Sequence, residues 1–430
     1  MINKNLCTHI ASFVSISALV TPFVASANVG ETFSFIKYVL LQGVALVLAI
    51  AALGVFLIVL AVRSHSKTLG GAITVFGFSI MVFYTISVGL PSGLQFPPLK
   101  ETYGPGHGAG LSLANVYHFF QHLDEFERVE DIARDPRDVP QAPVYNEDGV
   151  VEIFLETKEV LSEMGPDVVM NYWTFNGQVP GPMLRAKEGD TVRVTIYNNP
   201  SSLHSHNIDL HAVTGPGGGA KATTVEPGET KTFTFKALHP GLFVYHCAVA
   251  NVPTHMAHGM FGMILIEPEE GLPPVDKEFY VMQGEFYSTG GLGNKGLQVF
   301  DTHAMLDGNP TYVVFNGRTG GVTGRMEAEV GDTVRIYFGN GGVSKLSSFH
   351  VIGEVFDKVY VEGAIRNPIE DVQTTTVPAG GATIVEFDVQ YPGNYVLVDH
   401  ALSLLDKGAW GLLHVTGEKD DDIFSGVLDE

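Results

Sequence analysis

Cysteine is almost absent from the 430 residues: there are two, Cys7 and Cys247. Cys7 falls in a leader-like start, so the processed chain keeps one thiol and no intrachain disulfide can brace it. Basic residues are scarce as well, 25 Lys and Arg against 47 Asp and Glu. The imbalance sharpens past residue 99, where 21 basic residues face 46 acidic ones. Such a surface repels phosphate backbones, which argues against nucleic acid as a partner. A small anionic substrate would have to be drawn in by a local positive feature such as a metal.

Charge is missing from two long stretches, 39–62 and 69–90. Uncharged apolar runs of more than about twenty residues are long enough to span a hydrocarbon core as helices. Residues 1–27 precede them with Lys4, an apolar run from Ile10 to Val24 and Ala25-Ser26-Ala27, the pattern of a cleaved signal peptide. The link Arg63-Ser64-His65-Ser66-Lys67-Thr68 is short and positive, which places it in the cytoplasm. The expected location is therefore the bacterial inner membrane, with everything after Pro91 in the periplasm. Residues 91–149 read as a connector with one helical stretch, from Leu111 to about Arg134. His118 and His122 share a face of it and remain unassigned.

From Val150 onward short β-type runs alternate with Gly and Pro, which predicts sandwiches or barrels. The texture is duplicated. Phe175-Asn176-Gly177 and Gly189-Asp190-Thr191-Val192-Arg193 return as Phe315-Asn316-Gly317 and Gly331-Asp332-Thr333-Val334-Arg335. Two copies imply paired domains rather than a solenoid. We place them at 150–270 and 271–417, with an acidic tail at 418–430.

The lone thiol that remains sits in the richest stretch of the chain. Cys247, His255 and Met260 follow the spacing C-x7-H-x4-M within one loop. A thiolate, an imidazole and a thioether are the donors of a mononuclear blue-copper centre, which then needs a second His from upstream. His204-Ser205-His206-Asn207-Ile208-Asp209-Leu210-His211 can provide it. If that segment is extended, His206 faces opposite to Asp209 and His211, so His206 can join Cys247 while His211 joins His246. His246 adjoins Cys247, so two metal sites would be joined by one peptide bond.

With His206 to His211, Tyr245-His246-Cys247-Ala248, Ser347 to Gly353 and Val398-Asp399-His400-Ala401, the chain resembles the copper-containing nitrite reductases, in their short-ligand-loop class. The resemblance runs from about Val150 to Gly417. It implies an all-β fold of two tandem cupredoxin domains, Greek-key β-sandwiches, here preceded by the two transmembrane α-helices. It also implies a homotrimer holding one type 1 and one type 2 copper per subunit. His206, Cys247, His255 and Met260 would hold the type 1 copper. His211 and His246 would hold the type 2 copper with His400 from the neighbouring subunit. Asp209 and His350 would handle protons, and Ile352 would wall the substrate pocket. His204, His239, His258, His303 and His414 match no ligand position.

The implied reaction is dissimilatory: one electron and two protons turn nitrite into nitric oxide and water, the electron passing from type 1 to type 2 copper. The donor stays open among a quinol, a cytochrome c and a small cupredoxin. Two rivals share parts of the pattern. A two-domain multicopper oxidase needs several His-x-His pairs and a His-Cys-His element. Here His204-Ser205-His206 stands alone and Ala248 follows Cys247. A membrane-tethered cupredoxin electron carrier leaves His211, His246, Asp209, His350 and His400 unexplained.

Overall fold

The computed structural model describes residues 123–426. The leader, both apolar spans, His118, His122 and most of the connector helix lie outside the described residues. Among the described residues no helix is long and apolar enough to cross a membrane.

The first β-domain begins with the long strand Val151–Gly165. It lies between Val168–Phe175 and Thr191–Asn198 in a sheet that continues to Thr230–Lys236. Thr191–Asn198 shows why this sequence makes a sandwich strand: Val192, Val194 and Ile196 point inward and their neighbours outward, the period of two. The facing sheet orders Leu184–Lys187, Phe261–Glu267, Gly241–His246 and Asp209–Leu210. Between the two sheets lie Leu155, Phe175, Ile196, Tyr245 and Ile264, and with them Cys247 and Met260.

The second β-domain repeats the plan. Lys277–Phe286, Thr333–Asn340 and Ala382–Asp388 form the centre of one sheet. Trp410–Thr416, Gly393–Asp399 and Ser347–Ile352 form the other. The duplicated Asn-Gly pairs sit at equivalent turns with positive φ at both positions, 59° and 73° at Asn176 and Gly177 and 48° and 83° at Asn316 and Gly317. Asn and Gly tolerate that left-handed backbone, which explains why the pair recurs. A third apolar cluster joins the domains, with Leu242, Val244 and Met263 of the first packed among Tyr280, Met282, Tyr337 and Ile384 of the second.

The connector departs from its expected helix within the described residues. A single 3-10 turn, Leu123–Glu125, is followed by the two-residue strand Glu127–Arg128 and a bridge from Ala133 to Val179. Tertiary partners override local propensity here. Val129 N–H bonds to Leu161 O at 2.9 Å and Arg134 N–H to Val179 O at 3.0 Å. Asp131 accepts from Arg318 Nε at 2.7 Å and also bonds Arg325, tying the connector to the second domain. Burial raises the Asp131 carboxyl, but Arg318, the Ala133 N–H and Arg325 outweigh it and bring it down to about 2. The carboxylate's contribution is present above its ordinary value and lost as pH falls through about 2. Asp131→Asn should cost about 1 kcal/mol at pH 7, given solvent screening of a half-exposed group. Denaturant titration should show the gap from the parent narrowing as pH falls from 4 toward 2. A constant gap would remove the ion pair as its cause.

Candidate metal centres

Cys247 comes immediately after the strand Gly241–His246, so its backbone is aimed by the sheet. The loop beyond it is closed by its own main chain, with Cys247 N–H donating to Met260 O at 3.1 Å and Met260 N–H to His255 O at 3.2 Å. Between them the short helix Val252–Ala257 presents His255. Gly259 turns the chain back at φ 111°, and a Cβ there would lie 2.6 Å from Val179. His206 enters from the other side, its backbone paired with Val225.

Cys247 Sγ lies 3.2 Å from His255 Nδ1 and 3.9 Å from His206 Nδ1. All three residues are buried, and Met260 is fully buried in the same core. Burial pushes the Cys247 thiol up to about 12 and His255 well below its ordinary value. One sulfur and two imidazole nitrogens converging in a buried pocket suit a soft or borderline metal. A metal would also stabilise the thiolate that burial disfavours.

Three residues that sequence reasoning missed surround this pocket. Asn207 Oδ1 accepts from Ala248 N–H at 2.7 Å and lies 3.7 Å from Cys247 Sγ, which ties the segment of His206 to that of Cys247. Trp173 packs edge-on against His255 and His206, and its face stacks on His258 at 4.3 Å. Glu159 is buried, accepts from His204 Nδ1 at 2.9 Å and lies 3.4 Å from His206 Nε2. Burial raises its carboxyl, but His204 and His206 more than offset that and bring it to about 2. Only Asn207, adjoining His206, had a signal in the sequence.

The second cluster lies one peptide bond away. His211 Nε2 and His246 Nε2 are 3.1 Å apart, with an Asp209 oxygen within 4.8 Å of the histidine donor atoms. The pairing of Asp209–Leu210 with the strand Gly241–His246 puts Asp209 directly opposite His246. His246 Nδ1 lies 3.1 Å from Cys247 O, which assigns the proton to that nitrogen and leaves the Nε2 lone pair for a metal. Burial and the neighbouring His211 lower His246. Asp209 is cradled by Gly218, where a Cβ would come within 1.8 Å of its carboxylate. Both donor sets fit copper.

His350, Ile352 and His400 lie elsewhere in this chain. His350 and His400 pack ring to ring at 5.5 Å, and His350 Nδ1 reaches Gln373 O at 2.5 Å. Ile352 and His400 are exposed. Among the described residues, neither group of three or more converging metal donors includes His400. Of the histidines left unassigned, His204 meets Glu159, His258 is buried against Trp173, and His414 bonds Asn394 at 2.8 Å.

Two β-sandwiches with a buried Cys-His-His pocket joined through His246 to a second histidine site define a two-domain cupredoxin copper protein. A family described as multicopper oxidase matches residues 158–271. The chain is 53% identical over 296 residues to the copper-containing nitrite reductase of Neisseria meningitidis serogroup A, covering 68% of this chain and 76% of that one. It is 51% identical over 309 residues to the enzyme of that name from Neisseria gonorrhoeae, covering 71% and 79%. Among solved structures, the copper nitrite reductase of Nitrosomonas europaea superposes with TM-score 0.56 at 32% identity, over 63% of this chain and 95% of that one. A multicopper oxidase superposes with TM-score 0.57 at 26% identity, over 67% and 98%. The chain belongs to the copper-containing nitrite reductase family.

Proposed function

We propose that this enzyme reduces nitrite to nitric oxide at a type 2 copper held by His211, His246 and a neighbouring subunit's His400. Its electrons enter at a type 1 copper held by His206, Cys247, His255 and Met260. The observation that carries this reading is the pair of donor clusters joined by the His246–Cys247 peptide. When bound, copper supplies a one-electron relay at the first site and a Lewis acid for the anion at the second. Copper content per subunit, measured beside nitric oxide formation from nitrite, tests the assignment. Two coppers and nitric oxide are expected, and a single copper would reduce the protein to an electron carrier.

The chain's own groups account for the rest of the chemistry. Asp209 and His350 hold and deliver the two protons, and Ile352 excludes water beside the anion, with His350 and Ile352 entering from the neighbouring subunit together with His400, against whose ring His350 packs. Asp209→Asn should lower turnover by roughly 10²- to 10⁴-fold with both coppers retained. A rate and pH profile matching the parent's would take Asp209 out of the reaction.

A homotrimer supports the shared site, because His400 is exposed in the single chain and stands apart from both donor clusters. The two apolar runs at 39–62 and 69–90 anchor the trimer in the inner membrane with the β-domains in the periplasm, and they offer a surface for a quinol donor. A protein beginning near Leu123, which keeps the segment that Val129, Asp131 and Arg134 tie to both domains, should then lose nitrite reduction driven by quinol but keep it with a small soluble reductant. Equal rates from quinol would make the runs an anchor only and leave a cytochrome c or a small cupredoxin as donor.

A further inference from the structure

Glu159 is completely buried in the middle of the strand Val151–Gly165, yet among the described residues one of its carboxylate oxygens has no partner. The other, Oε1, accepts from the backbone N–H groups of Leu203 and His204, both at 2.9 Å, and from His204 Nδ1 at 2.9 Å. That same oxygen lies 3.4 Å from Nε2 of His206, a ring nitrogen that is itself buried and has no hydrogen bond among the described residues. A buried charge left this incompletely satisfied is costly, so its position calls for a physical reason.

The duplicated domain supplies an internal control. The strand ladders pair Thr157 with Phe175 and Gln283 with Phe315, and they pair Val151 with Val192 and Lys277 with Val334. Both registers make Glu285 the counterpart of Glu159. Glu285 Oε1 likewise accepts two backbone N–H groups, from Ser344 at 3.1 Å and Lys345 at 2.6 Å. Pinning the following loop is therefore a structural task common to both domains. In the second domain the remaining oxygen is satisfied by the hydroxyls of Ser344, at 2.6 Å, and Tyr287. In the first domain the carboxylate meets His204 and His206 instead.

We infer that Glu159 is a positioning residue for the type 1 copper, fixing the His206 tautomer and biasing the metal toward its oxidised state. The inference rests on the copper assignment proposed above. The carboxylate charge 3.4 Å from Nε2 favours the proton on that nitrogen electrostatically and leaves Nδ1, the nitrogen that faces Cys247, as the donor to the metal. A negative charge in a dry interior is weakly screened and stabilises the more highly charged cupric ion over the cuprous one. His204 competes for the same oxygen, so it moderates the effect.

The test is a redox titration of the full-length, copper-loaded protein, followed by its visible thiolate-to-copper band. Glu159→Gln keeps an oxygen for the two backbone donors but removes the charge. It should stay coloured and shift the cupric/cuprous equilibrium toward cuprous by about tenfold, about 59 mV for one electron. His204→Leu should shift it the opposite way, and Glu285→Gln should leave it within about threefold of the parent. A Glu159→Gln equilibrium within threefold of the parent overturns the inference, as does an equal shift from Glu285→Gln. Should Glu159→Gln fail to fold, His204→Leu decides, since an unmoved or cuprous-shifted equilibrium there is equally contrary. A colourless parent would instead defeat the copper assignment itself, so the two failures are distinguishable.

Discussion

Cys247→Ala should abolish the visible colour of the protein and leave about one copper per subunit, bound at the histidine site. The colour of a blue-copper centre comes from charge transfer between a thiolate and the cupric ion. Cys247 is the one cysteine described in the structure, and its Sγ is the atom on which the nitrogens of His206 and His255 converge. Alanine leaves only a small cavity, so the fold should lose about 1 kcal/mol and the variant should be recoverable. Nitrite reduction should fall by orders of magnitude because electron entry is lost. Absorption spectra and copper analysis of the purified variant decide the matter, and a variant that stays blue would sink the assignment. The thiol's elevated pKa adds a pH dependence. Copper uptake at this site must displace a proton, so loading of the metal-free parent should strengthen as pH rises.

His400→Ala should have the opposite spectroscopic result with an equally large effect on turnover. Two imidazoles and a carboxylate oxygen face one another around His211 and His246, and a catalytic metal site ordinarily has three protein ligands and an open position. His400 is exposed and its backbone N–H is held by Ser348 O at 2.8 Å, so truncating the ring should barely affect stability. The variant should keep its colour, lose about one copper per subunit, and fall at least about 10³-fold in nitric oxide formation, roughly 4 kcal/mol of barrier. Full copper content in this variant would show that His400 is not a ligand. Mixing it with a Cys247→Ala variant in one assembly would further test whether the site is shared between subunits.

Much of this protein was legible in its sequence because the informative residues are neighbours along the chain. His246 and Cys247 adjoin, His255 and Met260 follow within one loop, and the repeated Asn-Gly turns mark two copies of one β-domain. Those features are encoded over a few residues, the range that turn geometry and donor spacing control. The division of His206 from Asp209 and His211 rested on an extended segment, whereas the structure has a bridge at His206 and only the strand Asp209–Leu210. Pairing of Asp209 with His246 places the second cluster, and that register belongs to the sheet rather than to the segment.

Other features were decided by tertiary structure alone. Residues 126–134 leave the helix their sequence predicts because Val129 and Arg134 bond Leu161 and Val179, and because Asp131 meets Arg318 and Arg325, side chains nearly two hundred positions away that no local propensity can anticipate. Glu159 looks in sequence like one more acid on an acidic chain. It becomes a neighbour of His206 only because the sandwich closes a loop more than forty residues away over it, burying a charge whose surroundings are set by packing.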